Sequence, residues 1–143
     1  MTYNLSVKSH FDAAHYLRGY PGKCANQHGH SWKYSVEIVG DKLDELGMLI
    51  DFVVVKKAMK ESIENYIDHE MINNLIPFDE ENPTAENLAK WIYGQITRTF
   101  PSWDIGLKSV TVWESDECAV TYSGEPTKKD ILDEHAKRFP GTI

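Results

Sequence analysis

The sequence contains no long hydrophobic run. None of its apolar stretches approaches the roughly 18 residues that a membrane-spanning helix needs, so we expect no membrane partner. The segment from Met1 to Lys8 lacks the charged and apolar regions of a secretory signal. Only two cysteines, Cys24 and Cys118, are present. A disulfide framework is therefore not expected, and the composition is typical of a protein of the reducing cytoplasm.

Basic residues are scarce as well. The chain has 15 Lys and Arg against 22 Asp and Glu, a formal net charge of −7. Nucleic-acid backbones are bound by basic surfaces, so we expect no nucleic-acid partner. An anionic substrate would have to be held by a local basic cluster, for which Arg18 and Lys23 are candidates.

The chain also lacks repeats and low-complexity tracts, and its 143 residues are of a size common for one domain. We expect a single domain over 1–143, with its core in about 3–124. The remaining residues, 125–143, form a C-terminal extension in which a helical apolar stripe over 127–139 predicts a short helix.

Apolar residues recur with two different periods. Alternation predicts four half-buried strands, in 3–10, 30–39, 106–115 and 118–123. Steps of three and four residues predict two helices, one from the cap Asp51 to about Ile67 and one from a cap at Thr84 or Asn82 to about Thr99.

The order strand, strand, helix, helix, strand, strand favours an α+β fold, in which two helices cover one face of a four-stranded antiparallel sheet. Within 106–115 the alternation places Val110, Val112 and Glu114 on one face and Leu107, with Ser109, Thr111 and Trp113, on the other. Both faces carry apolar residues and the sheet has two open edges, so we expect subunits to associate.

Three histidines are the strongest chemical signal. His28 and His30 point to the same face if the chain is extended between them, and His15 ends the preceding alternating segment. Neutral imidazole is a preferred zinc ligand, and three ligands leave a coordination position open for substrate. The pattern predicts a catalytic metal site, with zinc as the metal.

Cys24 lies four residues before His28, and its role is open. It is a small buried apolar residue, a fourth, structural metal ligand, or a thiolate base whose pKa is lowered by nearby positive charge. The second cysteine, Cys118, lies in a predicted strand, and we expect it in the core.

Asp68 and His69 follow the first predicted helix. An aspartate can orient a histidine for acid–base chemistry, but neighbouring residues face each other only across a turn. The alternative is a histidine that simply favours the helix C-terminus. Glu114 is either an exposed strand-end residue or a carboxylate that accepts two parallel N–H groups, as on a pterin or guanine edge. His10 and His135 are expected to be surface residues.

Together these residues resemble the 6-pyruvoyltetrahydropterin synthase superfamily. The resemblance covers about residues 3–124 and rests on five elements in chain order: His15, Cys24-x-x-x-His28-Gly29-His30, Asp68-His69, Pro83-Thr84-x-Glu86-Asn87 and Trp113-Glu114. It implies the tunnelling fold (T-fold), homo-oligomers that are trimers or hexamers, and active sites shared between subunits.

The resemblance also implies roles for individual residues. His15, His28 and His30 would hold Zn²⁺, and Cys24 would be the proton-abstracting base. Asp68 with His69 would form a proton-donating pair, often supplied by a neighbouring subunit, and Glu114 would anchor the pterin ring.

The gap of three residues between Cys24 and His28 is similar to that of the carboxytetrahydropterin-forming branch, which acts in queuosine biosynthesis. The implied activity is that of a carbon–carbon lyase: 7,8-dihydroneopterin triphosphate gives 6-carboxytetrahydropterin, acetaldehyde and triphosphate. The alternatives are a pyruvoyl-forming phosphate lyase and a zinc-stabilised pterin-binding module without catalysis.

Overall fold

The computed structural model describes residues 2–100 and 106–124. In chain order the elements are β1 (Tyr3–His15), β2 (His28–Gly40), α1 (Phe52–Met59), a π-helical segment (Lys60–Glu64), α2 (Asn65–Ile67), α3 (Ala85–Thr99), β3 (Gly106–Ser115) and β4 (Cys118–Tyr122). All three strand pairs are antiparallel, in the order β1-β2-β3-β4. The expected α+β architecture is confirmed. The predicted C-terminal helix in 127–139 and the surface position of His135 lie outside the described residues.

The first two strands are longer than the alternation predicted. β1 continues past His10 to His15, and β2 begins at His28. His15 and His28 therefore pair with each other across the ladder. The extension keeps the same alternation, with Phe11, Ala13 and His15 buried. The alternation was not visible in the sequence here, because the adjacent residues Ala13 and Ala14, on opposite faces of the strand, are both alanine.

Both predicted helix starts are confirmed. The Asp51 carboxylate accepts a hydrogen bond from the Val53 backbone N–H at 2.9 Å, and the Thr84 hydroxyl accepts one from Asn87 N–H at 3.1 Å. Asn82, the other candidate cap, instead exchanges two hydrogen bonds with the Arg18 backbone. The first helix runs to Ile67 as predicted, but through the π-helical segment Lys60–Glu64.

The core lies between the helices and one face of the sheet. The fully buried side chains of the sheet include Phe11, Trp32 and Tyr34, and those of the helices include Met59 and Leu88. Each such side chain contributes roughly 1.5–3 kcal/mol through burial. His15 at the end of β1, with His28 and His30 at the start of β2, shares this covered face, since the three alternate in phase with Phe11 and Trp32.

An irregularity in the β2–β3 ladder changes one side-chain assignment. Glu37 pairs with Ser109 but Ile38 pairs with Leu107, so Lys108 is an extra residue in β3. The bulge returns Leu107 to the core face, against which it packs. The expectation that Leu107 faces away from Val110 was wrong, because strict alternation does not survive a bulge.

Part of one sheet edge is covered. The segment after α2 lies along the end of β1, where His69 N–H donates to Asp12 O at 2.6 Å and Ala14 N–H donates to Glu70 O at 3.0 Å. No helix among the described residues has the length and apolarity needed to cross a bilayer.

Candidate metal centre and substrate cavity

The three predicted histidines come together at one end of the sheet. The ring centroids of His15 and His28 are 4.5 Å apart, those of His28 and His30 are 4.8 Å apart, and those of His15 and His30 are 5.2 Å apart. One ligand atom from each histidine and from Glu114 lies within 4.8 Å of all the others. The β1–β2 ladder produces this cluster, since it pairs His15 with His28 and Ala13 with His30.

Backbone carbonyls orient two of the imidazoles. His15 Nδ1 lies 2.7 Å from Pro83 O, and His28 Nδ1 lies 2.7 Å from Asn26 O. A carbonyl only accepts, so each Nδ1 carries the proton and leaves the Nε2 lone pair free.

These free nitrogens are what a metal would use. The Nε2 atoms of His15, His28 and His30 are all buried and without a hydrogen-bond partner. Buried polar atoms are rarely left unsatisfied, and three converging imidazole nitrogens form a zinc-type donor set. The residues present therefore fit a zinc ion.

Trp32 forms the floor of the cluster. Its ring packs edge-on against His15 and His30, with centroid distances of 5.0 and 5.1 Å, and its indole N–H donates to Ala13 O at 3.2 Å. The side chain is fully buried. The rings of His15 and His30 thus pack against a fully buried aromatic side chain.

Glu114 lies closer to the histidines than the sequence suggested. Its Oε1 is 3.2 Å from His30 Nε2, although the contact lacks hydrogen-bond geometry. The side chain is 36% exposed. The β3–β4 ladder is irregular between Trp113 and Ser115, which frees Glu114 from strand pairing with β4. The carboxylate could therefore reach either a metal or a ligand above the histidines.

Burial favours the neutral form of two of the three imidazoles. It lowers the pKa of His15, against a smaller raising effect of the Pro83 carbonyl. It also lowers the pKa of His30, with Glu114 acting in the opposite direction. The lowered pKa values favour neutral His15 and His30, and neutral imidazole is the state that binds metal.

A cavity of about 230 Å³ opens beside His15 and Glu114. The N-terminus of α3 forms one wall, with Thr84 and Glu86, and β4 forms another, with Cys118. Sequence reasoning missed Glu86 as a lining residue, since its place in a helix-start motif gave it a structural explanation. Cys118 is exposed, so its predicted place in the core was wrong.

Asp68 and His69 face each other as acid–base chemistry requires. The Asp68 Oδ2 atom lies 3.0 Å from His69 Nδ1, and His69 adopts a φ of 62°, which provides the necessary turn. The other oxygen, Oδ1, accepts from Asp12 N–H at 2.9 Å, and this hydrogen bond is the main cause of the lowered pKa of Asp68. The His69 side chain is 78% exposed.

His69 of this pair lines a different cavity from Glu114. A second, open cavity of about 530 Å³ is bordered by His69, Asp12 and His30. Within one chain, the candidate acid–base pair and the candidate ring anchor are thus on separate surfaces that meet at the histidine cluster.

Cys24 lies outside the cluster of ligand atoms. It is half-buried in a 3₁₀ turn, Lys23–Ala25, and its thiol is not part of the His15–His28–His30–Glu114 group found in 2–100 and 106–124. In this turn, the thiol is not one of the ligand atoms that converge at the histidine cluster.

Arg18, a candidate anion contact, has a structural role. Its guanidinium donates to the carbonyls of Phe78, Glu81 and Asn73 at 3.0, 3.2 and 3.4 Å. These bonds hold the loop that precedes α3. Lys23 is exposed in the loop before Cys24.

Comparison with known proteins places the chain in a family. The family model described as 6-pyruvoyl tetrahydropterin synthase matches residues 4–125. A Synechocystis protein named 6-carboxy-5,6,7,8-tetrahydropterin synthase is 35% identical, over 78% of this chain and 86% of its own length. A Dictyostelium discoideum 6-pyruvoyl tetrahydrobiopterin synthase is 33% identical, over 73% of this chain and 76% of its own. The structure of the Caenorhabditis elegans 6-pyruvoyl tetrahydropterin synthase superposes with a TM-score of 0.78 at 25% identity, covering 87% of this chain and 97% of the other.

Proposed function

Because this chain belongs to the 6-pyruvoyl tetrahydropterin synthase family of T-fold lyases, we propose that it is a zinc-dependent carbon–carbon lyase acting on a pterin triphosphate. The reaction takes 7,8-dihydroneopterin triphosphate and water to 6-carboxy-5,6,7,8-tetrahydropterin, acetaldehyde and triphosphate, a step of queuosine biosynthesis. The observation that carries the proposal is the set of three buried, unpaired Nε2 atoms beside the Glu114 cavity.

His15, His28 and His30 would hold the zinc ion through Nε2, with Nδ1 of the first two fixed by the Pro83 and Asn26 carbonyls. When bound, zinc supplies Lewis acidity to the hydroxyl groups of the substrate side chain. The remaining chemistry belongs to this chain's own side chains.

Cys24 is proposed as the base that takes a proton from the substrate side chain, and His69 as the acid that returns one. Asp68 orients the His69 ring through the 3.0 Å contact at Nδ1 and stabilises its protonated form. Glu114 anchors the pterin by accepting paired N–H groups of the ring.

The active site is proposed to be shared between subunits of a homo-oligomer. His69, the exposed member of the Asp68–His69 pair, and Glu114 line different cavities of one chain. A neighbouring subunit would therefore supply the proton-donating pair to the cavity that holds the pterin.

A pyruvoyl-forming phosphate lyase on the same scaffold is the second candidate. The name of the Dictyostelium relative favours it. The three-residue gap between Cys24 and His28 and the name of the Synechocystis relative favour the carboxyl product.

Product mass separates these two reactions. Purified protein loaded with zinc is incubated with dihydroneopterin triphosphate, and the products are identified by mass spectrometry, with zinc measured on the same sample. Carboxytetrahydropterin with equimolar acetaldehyde supports the proposal. A pyruvoyl product without acetaldehyde would replace it with the second candidate.

The Cys24→Ala variant tests whether the chain is only a zinc-stabilised binding module. As a base, Cys24 is needed for turnover but not for zinc, so we expect normal zinc content and melting temperature with at least about a 100-fold loss in kcat. Loss of zinc in this variant would instead make Cys24 a ligand.

A further inference from the structure

The end of the first helix contains a half-buried carboxylate that the proposed reaction does not use. Glu64 is the last residue of the π-helical segment Lys60–Glu64. Single π-turns inside α-helices are rare and are found at functional sites more often than elsewhere. Ile63, within the turn, and Ile67, after it, are both fully buried, so the helix stays seated on the sheet across the irregular turn.

Glu64 binds both of the first two strands. Ser9 Oγ of β1 donates to its Oε1 at 3.0 Å, and Tyr34 OH of β2 donates to its Oε2 at 3.0 Å. Burial, and then the Glu64 charge, raises the pKa of Tyr34 far above its ordinary range, so this hydroxyl remains a donor. The Met59 carbonyl is a more distant acceptor, at 3.4 Å.

The carboxylate forms no ion pair with any residue in 2–100 or 106–124. A charge that is partly removed from water and held only by hydroxyls contributes little net stability. What these two hydrogen bonds do provide is a fixed position of the helix relative to β1 and β2.

The backbone connects this position to the Asp68–His69 pair. Asp68 N–H donates to Glu64 O at 2.9 Å, the last hydrogen bond of the helix. Asp68 and His69 then contact Asp12, three residues beyond Ser9 on the same strand. Glu64 and the pair therefore contact β1 at two neighbouring points. The Ser9–Glu64 hydrogen bond is partly buried, whereas the Asp12–Asp68 hydrogen bond is exposed.

We propose that Glu64 is a positioning residue for the Asp68–His69 pair. Its hydrogen bonds to Ser9 and Tyr34 set where along the edge of β1 the helix ends, and so where the imidazole of His69 is presented. This inference rests on the proposed acid–base role of the pair. A displacement of about 1 Å in such a group can cost up to about 100-fold in rate.

The first test is the kinetics of Glu64→Ala in the zinc-loaded oligomer. We expect kcat to fall about 10- to 100-fold, while KM and zinc content change less than about twofold, because the pterin and metal contacts are elsewhere. Ser9→Ala removes one of the two donors and should give a smaller loss of the same kind.

Two variants serve as controls. In Glu64→Gln the amide oxygen accepts from one hydroxyl and the NH₂ donates to the other, so the connection is kept and kcat should stay within about threefold of wild type. Glu61→Ala removes another carboxylate of the same segment. This side chain is 61% exposed, and its ion pair with Lys57 Nζ is long, at 3.9 Å. This variant should leave kcat unchanged.

Amide hydrogen exchange tests the positioning without any substrate. In Glu64→Ala the amides of Asp12, Asp68 and His69 should exchange at least about tenfold faster, while those of Val36 and Val112 in the sheet centre keep their rates. Equal acceleration at all five positions, or a kcat loss that Glu61→Ala reproduces, would overturn the proposal in favour of general stabilisation. If the wild type forms no product, the proposed function fails, and the exchange result still decides whether Glu64 positions the pair.

Discussion

At the scale of single residues, the site depends on which atom of each imidazole is free. Two backbone carbonyls, of Pro83 and Asn26, keep Nδ1 of His15 and His28 occupied and turn Nε2 inwards. Carbonyls do not titrate, so the acceptors that set this orientation do not change with pH. Two of the three histidines of the candidate metal centre are thus oriented by the backbone and not by carboxylates.

Glu114→Gln distinguishes a ring anchor from a metal ligand. If Glu114 accepts paired N–H groups of the pterin, losing the charge should weaken pterin binding by about 1.5–3 kcal/mol at unchanged zinc content. Affinity is measured by calorimetry with a non-reacting pterin, and zinc by atomic absorption. A drop in zinc content with unchanged pterin affinity would assign Glu114 to the metal, towards which its 3.2 Å approach to His30 also points.

Asp68 should make stability depend on acid pH. The Asp12 amide lowers the folded-state pKa of the Asp68 carboxyl, so its contribution is complete above the unfolded pKa and is lost as pH falls through the folded one. The unfolding free energy of wild type minus Asp68→Asn should therefore shrink as the pH falls from about 5 to below about 4. Urea titrations at several pH values measure it. Asp79→Asn, the same change at an exposed site, is measured alongside as the matched control.

At the scale of elements, the sequence predicted most of the fold and the structure adds the irregular positions. Alternation identified the four strands, and capping residues placed both helix starts. These patterns could not reveal the bulge at Lys108 or the π-helical segment. Each inserts one extra residue, and the free-energy cost of that insertion depends on packing against another element. For the site, spacing identified the histidines, whereas the approach of Glu114 depends on a β3–β4 irregularity that local sequence does not encode.

Thr84→Ala tests the connection between helix α3 and the histidine cluster. Removing the cap should lower the unfolding free energy by about 1 kcal/mol, since Asn87 N–H loses its acceptor. Because Pro83 O, one residue earlier, orients His15, zinc affinity should fall as well. Denaturant unfolding and competitive zinc titration measure the two effects. Thr84→Ser keeps the hydroxyl and should restore both, and normal zinc affinity in Thr84→Ala would separate the cap from the site.

At the scale of the whole molecule, one chain presents two incomplete surfaces. The cavity with Glu114 and the cavity with His69 are separate. The edge of β4 and the edge of β1 before Asp12 have no strand partner among the described residues. Open edges invite pairing with another chain. The proposed shared site requires that such association bring the second cavity of one chain to the first cavity of the next.

Mixing two inactive variants tests sharing of the site between subunits. Cys24→Ala and His69→Ala are unfolded together and refolded at equal amounts, so that oligomers contain both chains. If a site takes Cys24 from one chain and His69 from its neighbour, about a quarter of the sites are intact and kcat per site recovers accordingly. If each chain supplies both residues, no mixture can be active. Each variant refolded alone provides the baseline.

The position of Trp32 has a practical consequence. The indole is fully buried and packs against two imidazoles of the cluster, at 5.0 and 5.1 Å, and indole emission is sensitive to nearby charge. A dication bound by those imidazoles would place new charge beside the fluorophore. With the other three of the chain's four tryptophans replaced by phenylalanine, Trp32 becomes an optical probe of metal binding at the candidate centre, without any label.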